Sequence, residues 1–175
     1  MNSMRHLHTQ VHPSLAKLDQ QTIIQRKATR AIALRGEQIL LMYTERYHDY
    51  SLPGGGLDEG EDVIAGLVRE LQEETGAQNV RDIAPFGVYE EFRPWYKNEA
   101  NVMHMHSYCY VCLVDETLGR PNLEEYEINN GMTAVWVNIH EAIKHNENTI
   151  AKSAKKGLSI ERETFLLHLI AKELL

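Results

Sequence analysis

This sequence of 175 residues has little with which to build a stapled scaffold: only two cysteines, Cys109 and Cys112, and no second pair to complete a zinc site. Both lie in an apolar run that reads as a strand. Residues three apart on a strand point to opposite faces, so two buried thiols are preferred to a redox pair. No apolar stretch approaches the length of a membrane span. The polar, histidine-rich segment from Met1 to Leu15 lacks the apolar core of a signal peptide, so the cytoplasm is the expected location. Positive charge is scarce as well. Against 25 Asp and Glu stand 18 Lys and Arg, a formal net charge of −7, and no basic stripe is long enough to track a nucleic-acid backbone. A small anionic ligand is still compatible with that balance, because a bound cation reverses the local field. Internal repeats are absent, and the length suits one domain with a full core.

What is present is ordinary globular patterning. Residues from about Ser14 to Lys27 have helix-forming composition, with Pro13 suited to a first turn and Leu15, Leu18 and Ile23 as a thin apolar stripe. Ala28 to Leu34 and Gln38 to Tyr43 read as a hairpin across Arg35-Gly36-Glu37. The run Leu52-Pro53-Gly54-Gly55-Gly56 cannot be a regular element and lets the backbone turn tightly or approach a ligand. Glu61 to Thr75 is the strongest helix, with acidic residues at its start and Gly76 as its stop. Strands are expected over Val80 to Phe92, Val102 to Asp115 and Met132 to Asn138, with an acidic loop from Glu116 to Asn130. Helices are expected over Ile139 to His145 and Ile160 to Leu175. The order β-β-α-β-β-β-α-α predicts an α+β fold, a mixed sheet between helices in an α/β/α sandwich.

On the helix, Ile64, Leu67, Val68, Leu71 and Thr75 fall in one sector, the expected buried face. Glu70, Glu73 and Glu74 share a separate arc, read as lacking any Lys or Arg partner at i+4, so the crowded carboxylates invite a hard divalent cation. Gly66, one turn earlier, puts no side chain in the way. The stretch from Gly55 to Ala77 reads GGLDEGEDVIAGLVRELQEETGA. It resembles the Nudix box: Gly55, Glu61, Arg69, Glu70, Glu73, Glu74 and Gly76 match all seven fixed identities, and Leu71 fills an apolar position. Ala77 is smaller than the usual aliphatic residue there.

The resemblance implies a Nudix hydrolase domain over residues 28–145, an N-terminal extension over 1–27 and a C-terminal helical segment over 146–175. It implies Mg²⁺, or Mn²⁺, held by Glu70, Glu73, Glu74 and the Gly54 carbonyl, with Glu61 and Arg69 supporting them. The implied reaction is attack of water on a diphosphate linkage in a nucleoside diphosphate derivative, where cations offset the phosphate charge that repels a nucleophile. The alternative is a nucleotide-binding sensor that has kept the fold without the catalysis. Candidates for the general base outside the box are Glu90, Glu91, Glu124, Glu125 and Glu127. Arg46 and Tyr50 precede the glycine loop, and Arg93, Trp95, Tyr96 and Lys97 form an aromatic-basic loop, so these are the candidate substrate contacts; loop packing or a dimer contact would account for them equally. Pro94 lies close to, but out of register with, a proline of some family members. His104 and His106 alternate on one strand face at a metal-chelating spacing, but with no evident third ligand a polar strand face is preferred. The thin N-terminal stripe and the shared face of Phe165, Leu166, Leu169 and Ile170 suggest a homodimer.

Overall fold

The computed structural model describes residues 4–97 and 100–175; Asn98, in the aromatic-basic loop, lies outside them. The chain runs β1 (His6–Val11), β2 (Ile23–Arg35), β3 (Gln38–Thr44), β4 (Asp49–Ser51), β5 (Gly54–Gly56), α1 (Val63–Thr75), β6 (Arg81–Pro94) and β7 (Val102–Leu113). It continues through α2 (Glu125–Asn129), β8 (Met132–Asn138), α3 (Ile139–Lys152) and α4 (Ile160–Leu174). The sheet has the order β1-β6-β7-β2-β3-β4, with β5 added to β2 and β8 to β3. β1 with β6 and β2 with β7 are parallel pairs; the rest are antiparallel.

β2 organises this arrangement. Ile23 to Ala33 lies in register with Val102 to Cys112 of β7, Ala28 to Arg30 takes β5 on the other edge, and Leu34 and Arg35 turn into β3. Its side chains alternate between two cores. Ala31 and Ala33 meet Leu67 and Leu71 of α1, whereas Ile32 between them meets α3 and α4 through Ile143, Leu166 and Ile170. Helices therefore cover both faces, as the sequence order implied. The two thiols follow the same alternation: Cys109 is buried under α3 and α4, Cys112 under α1. Burial pushes them up to about 12 and about 11, so neither is a reactive thiolate.

The expected helix from Ser14 to Lys27 is not formed. Leu18–Gln20 makes a single 3-10 turn, and β2 already begins at Ile23. The β-branched Thr22, Ile23 and Ile24 favour an extended chain, and β7 supplies its hydrogen bonds, while the apolar stripe is too thin to anchor a helix. Upstream, β1 pairs with β6 from His6 opposite Val88 to Val11 opposite Phe92. Leu7 packs on the core over Gly87, where any side chain would collide with it. The acidic loop contains α2, closed by a capping box in which Glu124 and Glu127 each bond the other's backbone N–H. In α4, Leu166 and Ile170 are fully buried and Phe165 and Leu169 are half-buried against the same core. The α4 face that suggested a homodimer thus packs on the core of its own chain, whereas Leu15, Leu18 and Ile23 of the N-terminal stripe are half-buried. Among the described residues no helix is long and apolar enough to cross a membrane.

Candidate active site

α1 is fixed at both ends by its own sequence. The Asp62 carboxylate accepts from the Ala65 N–H at 3.0 Å, and Gly76 closes the helix in the left-handed region at φ 72°. Leu67, Leu71 and Thr75 are buried as expected, but Ile64 in the first turn is exposed and Val68 is only half-buried. Glu74 lies on the buried side instead, with 3% of its surface exposed. Gly66 serves the loop before the helix: a side chain there would collide with Leu57 and crowd the Glu61 carboxylate.

Arg69 grips Glu61 with two parallel bonds, Nε to Oε2 at 2.8 Å and a terminal nitrogen to Oε1 at 2.9 Å, and the Asp58 N–H adds a third at 3.0 Å. These donors hold Glu61 down at about 2 and raise Arg69. The other terminal nitrogen of Arg69 reaches Glu70 and Glu73 at 3.2 Å each. The expectation of an arc without a cationic partner is therefore corrected, since Arg69 stands four residues before Glu73. One guanidinium still serves three carboxylates, and Glu74 has no ion pair among the described residues.

The glycine loop meets the remaining glutamates. The Glu70 carboxylate lies over Gly55, where a Cβ would stand 2.9 Å from it; burial raises Glu70, with Arg69 opposing. Glu74 accepts from the Gly54 N–H at 2.7 Å. Burial, and then the charge of Glu127, still raise Glu74 well above the usual carboxylate range. It is the Gly54 N–H, rather than its carbonyl, that touches a box glutamate. Gly54 has φ 151°, and a side chain there would collide with the Thr29 carbonyl, so this approach of loop to sheet requires glycine.

Beside Glu74 opens a cavity of about 430 Å³. Its wall includes the three glycines, Arg26, Arg30, Asp49, Trp95, Met103, Met105, Tyr126, Glu127, Arg162 and Glu163. Of the expected substrate contacts, Trp95 lines it. Arg46 bonds Asn130, a wall residue, at 3.0 Å. Arg93 is held by Glu91 and Ser159 and lines an adjoining cavity of about 310 Å³ with Tyr47 and Asp49. Tyr96 is 81% exposed, with Lys97 over its ring. Tyr50 turns away from the cavity, its ring 5.0 Å from that of Tyr43 and 5.1 Å from that of His145. Among the candidate bases only Glu127 lines the cavity, where the Glu124 N–H holds its Oε1 at 2.9 Å. Glu91 is paired with Arg162 and Arg93, Glu90 stands beside His104, Glu124 caps α2, and Glu125 is exposed.

Sequence reasoning missed most of the charged wall, including Arg26, Arg30, Asp49, Arg162 and Glu163. Arg30 had a signal, as the lone charge in the apolar run from Ala28 to Leu34. Arg162, Glu163 and Asp49 had none, because charge on a helix or in a loop ordinarily reads as solvent-facing. Burial and the charge of Glu163 push Asp49 up to about 6. The Nε of Arg30 and the Nε1 of Trp95 are buried with no hydrogen-bond partner among the described residues.

Residues 25–158 match the family model described as the NUDIX domain. An RNA pyrophosphohydrolase of Bartonella quintana (strain Toulouse) is 42% identical over 53 residues, 30% of this chain and 27% of that protein. A diphosphoinositol polyphosphate phosphohydrolase of Homo sapiens is 30% identical over 126 residues, 68% of this chain and 61% of that protein. The chain therefore spans less than two thirds of the length of either relative. A NUDIX hydrolase from Nitrosomonas europaea, 19% identical, superposes with a TM-score of 0.55 over 85% of this chain and 91% of its own, and so shares the fold. With the box residues brought together along α1 and the loops that flank it, and the family model spanning most of the sequence, the chain belongs to the NUDIX family of hydrolases.

Proposed function

We propose that this chain hydrolyses a diphosphate linkage in a nucleoside diphosphate derivative, with water as the nucleophile. One juxtaposition carries the reading: a single cavity lined by Asp49, Glu74, Glu127 and Glu163 and also by Arg30 and Trp95, each with a buried donor that has no partner among the described residues. The charges of Glu70, Glu74 and Glu127 repel one another beside and within that cavity, Glu74 and Glu127 lining it, and a dense set of carboxylate oxygens fits a hard divalent cation. Mg²⁺ held by Glu70, Glu73 and Glu74, with the Gly54 carbonyl as a further ligand, would supply the charge that offsets the phosphates and the polarisation that activates water. Glu61 orients Arg69, and Arg69 in turn holds Glu70 and Glu73 in place. Arg30 binds non-bridging phosphate oxygens, because a desolvated guanidinium with a free donor recognises anionic oxygen strongly. Trp95, between Met103 and Met105 in the wall, offers a ring face for a base and an Nε1–H for a base or sugar acceptor. Glu127, oriented by the Glu124 N–H, takes the proton from the attacking water.

The names of both relatives support cleavage of a phosphoanhydride. An apolar and aromatic wall favours a nucleoside over a ring that carries phosphate on most of its atoms, which would meet Asp49, Glu127 and Glu163. The sensor reading is disfavoured by a complete set of box glutamates. The test is a panel of ADP-ribose, a nucleotide sugar, a dinucleoside polyphosphate, a deoxynucleoside triphosphate and a diphosphoinositol polyphosphate, each with Mg²⁺ or with excess EDTA. Turnover of a nucleoside member that EDTA abolishes is expected. Full turnover in EDTA, or none on any nucleoside compound, overturns the reading.

A further inference from the structure

On the sheet face that carries α1, β1 and β7 bring imidazoles around one carboxylate of β6. His104 Nε2 of β7 stands 2.9 Å from Glu90 Oε1 of β6, and His106 Nδ1 stands 3.5 Å from the same oxygen. The other oxygen, Oε2, lies 3.2 Å from His6 Nε2 of β1. One ligand atom each from Glu90, His104 and His106 falls within a 4.8 Å span. Zinc bonds of about 2.0–2.2 Å at tetrahedral angles put neighbouring ligand atoms about 3.3 Å apart, close to these separations. Glu90, the third ligand that the sequence did not reveal, comes from the strand antiparallel to β7, where it pairs with His106.

We propose that Glu90, His104 and His106, with His6 as the fourth ligand, form a second metal site for a borderline transition ion of the Zn²⁺ class. Three imidazoles and one carboxylate suit Zn²⁺, not Mg²⁺, which separates this site chemically from the all-oxygen set on α1. A second observation orients the ligands. His106 Nε2 lies 2.9 Å from Gln25 Oε1 of β2, so a proton on Nε2 leaves Nδ1 as the lone pair facing Glu90. The His104 ring is stacked on Phe92 with centroids 4.0 Å apart, which fixes its plane. The site is reachable: Gln25 and His106 line an open groove of about 900 Å³ that runs to the loop before α1. Its ligands come from β1, β6 and β7, so a bound ion clips the first strand onto the sheet.

The experiment uses the full chain without an affinity tag, titrated with Co²⁺ and Zn²⁺. A Glu70→Gln/Glu74→Gln variant removes the contribution of the box. The expected result in that background is one Co²⁺ per chain with visible d–d bands, displaced by Zn²⁺, and a melting temperature that rises with Zn²⁺. His106→Gln and Glu90→Gln, at side chains about a quarter exposed, should lose the bands while keeping the far-ultraviolet spectrum of the parent. His6→Ala should weaken binding by roughly tenfold or more. The proposal is overturned if the box variant binds no Co²⁺, or if His106→Gln and Glu90→Gln bind it as the parent does. Unchanged affinity in His6→Ala would overturn the four-ligand assignment.

Discussion

Arg162 is the perturbation with the largest calculable effect. It lies on α4 with 3% of its side chain exposed, donating to Glu91 Oε2 at 2.6 Å and, from two nitrogens, to Glu163 Oε1 at 2.9 and 3.3 Å. Glu163 is wholly buried, and its second oxygen takes the Leu52 N–H at 3.1 Å. Arg162→Met roughly preserves volume but leaves Glu163 with a single neutral donor, whereas Glu91 keeps Arg93. Breaking a buried pair from one side costs about 3–5 kcal/mol, a large part of the 5–15 kcal/mol that holds an ordinary domain together. Most of that cost is the stranded charge. Arg162→Met/Glu163→Gln, which keeps an acceptor for Leu52, should therefore recover more than half of the loss. Urea denaturation followed by circular dichroism reads both variants through the midpoint at constant m. The pH dependence adds a sign. Burial alone would raise Glu91, but Arg162 and Arg93 outweigh it and hold it low. Its contribution is therefore present above the unfolded value of 4.5 and is lost as pH falls through the folded value. The acid slope should flatten in Arg162→Met. A cost below about 1 kcal/mol, or no recovery in the double variant, would refute the stranded-charge argument.

Three further variants have expected outcomes. Glu74→Gln should lower kcat on the order of 10²-fold or more while the metal-free protein melts no lower than the parent, since a buried carboxylate without an ion pair becomes neutral. Glu73→Gln should not share that stability benefit, because it loses the bond from Arg69; circular dichroism melts in EDTA beside steady-state kinetics check both. Asp49→Asn should stabilise the protein near neutral pH. The folded group sits at about 6 against an ordinary 3.8, so its charge opposes folding by up to about 3 kcal/mol above pH 6, and that penalty fades as pH falls toward 4. Denaturation midpoints of parent and variant that differ equally at pH 4.5 and 7.5 would show the gain to have another origin.

The elements legible in the sequence are those whose pattern is local. The β2–β3 hairpin, β8 and α1 follow from periodicity and from Gly36, Asn138, Asp62 and Gly76 at their boundaries. The Glu61–Arg69 pair was implied by the resemblance of that stretch to the Nudix box. What was not legible depends on partners far away in the chain. β1 has the polar composition of a loop and is a strand only because the edge of β6 is there to receive it. Glu74 falls on the glutamate arc, yet the Gly54 loop folds over it and makes it a buried group. Arg162 and Glu163 look like solvated helix charges until β6 supplies Glu91. The short α2 did carry a signal, glutamates three apart at Glu124 and Glu127, that a plain reading of an acidic loop passes over.

The docking of β1 ties the order of synthesis to the order of assembly. Its strand partner is β6, and its side chains reach further still: Arg5, just before it, pairs with Glu173, Gln10 donates to Glu161, and the ring of His8 stacks on Phe165. Every one of these α4 contacts is translated more than 150 residues later. As the chain leaves the ribosome, β1 therefore has no strand partner until β6 exists, and its helix contacts wait longer still, for α4. Four of its six residues, His6, His8, Thr9 and Gln10, are polar, which suits a segment that must wait in water until β6 and then α4 have been made.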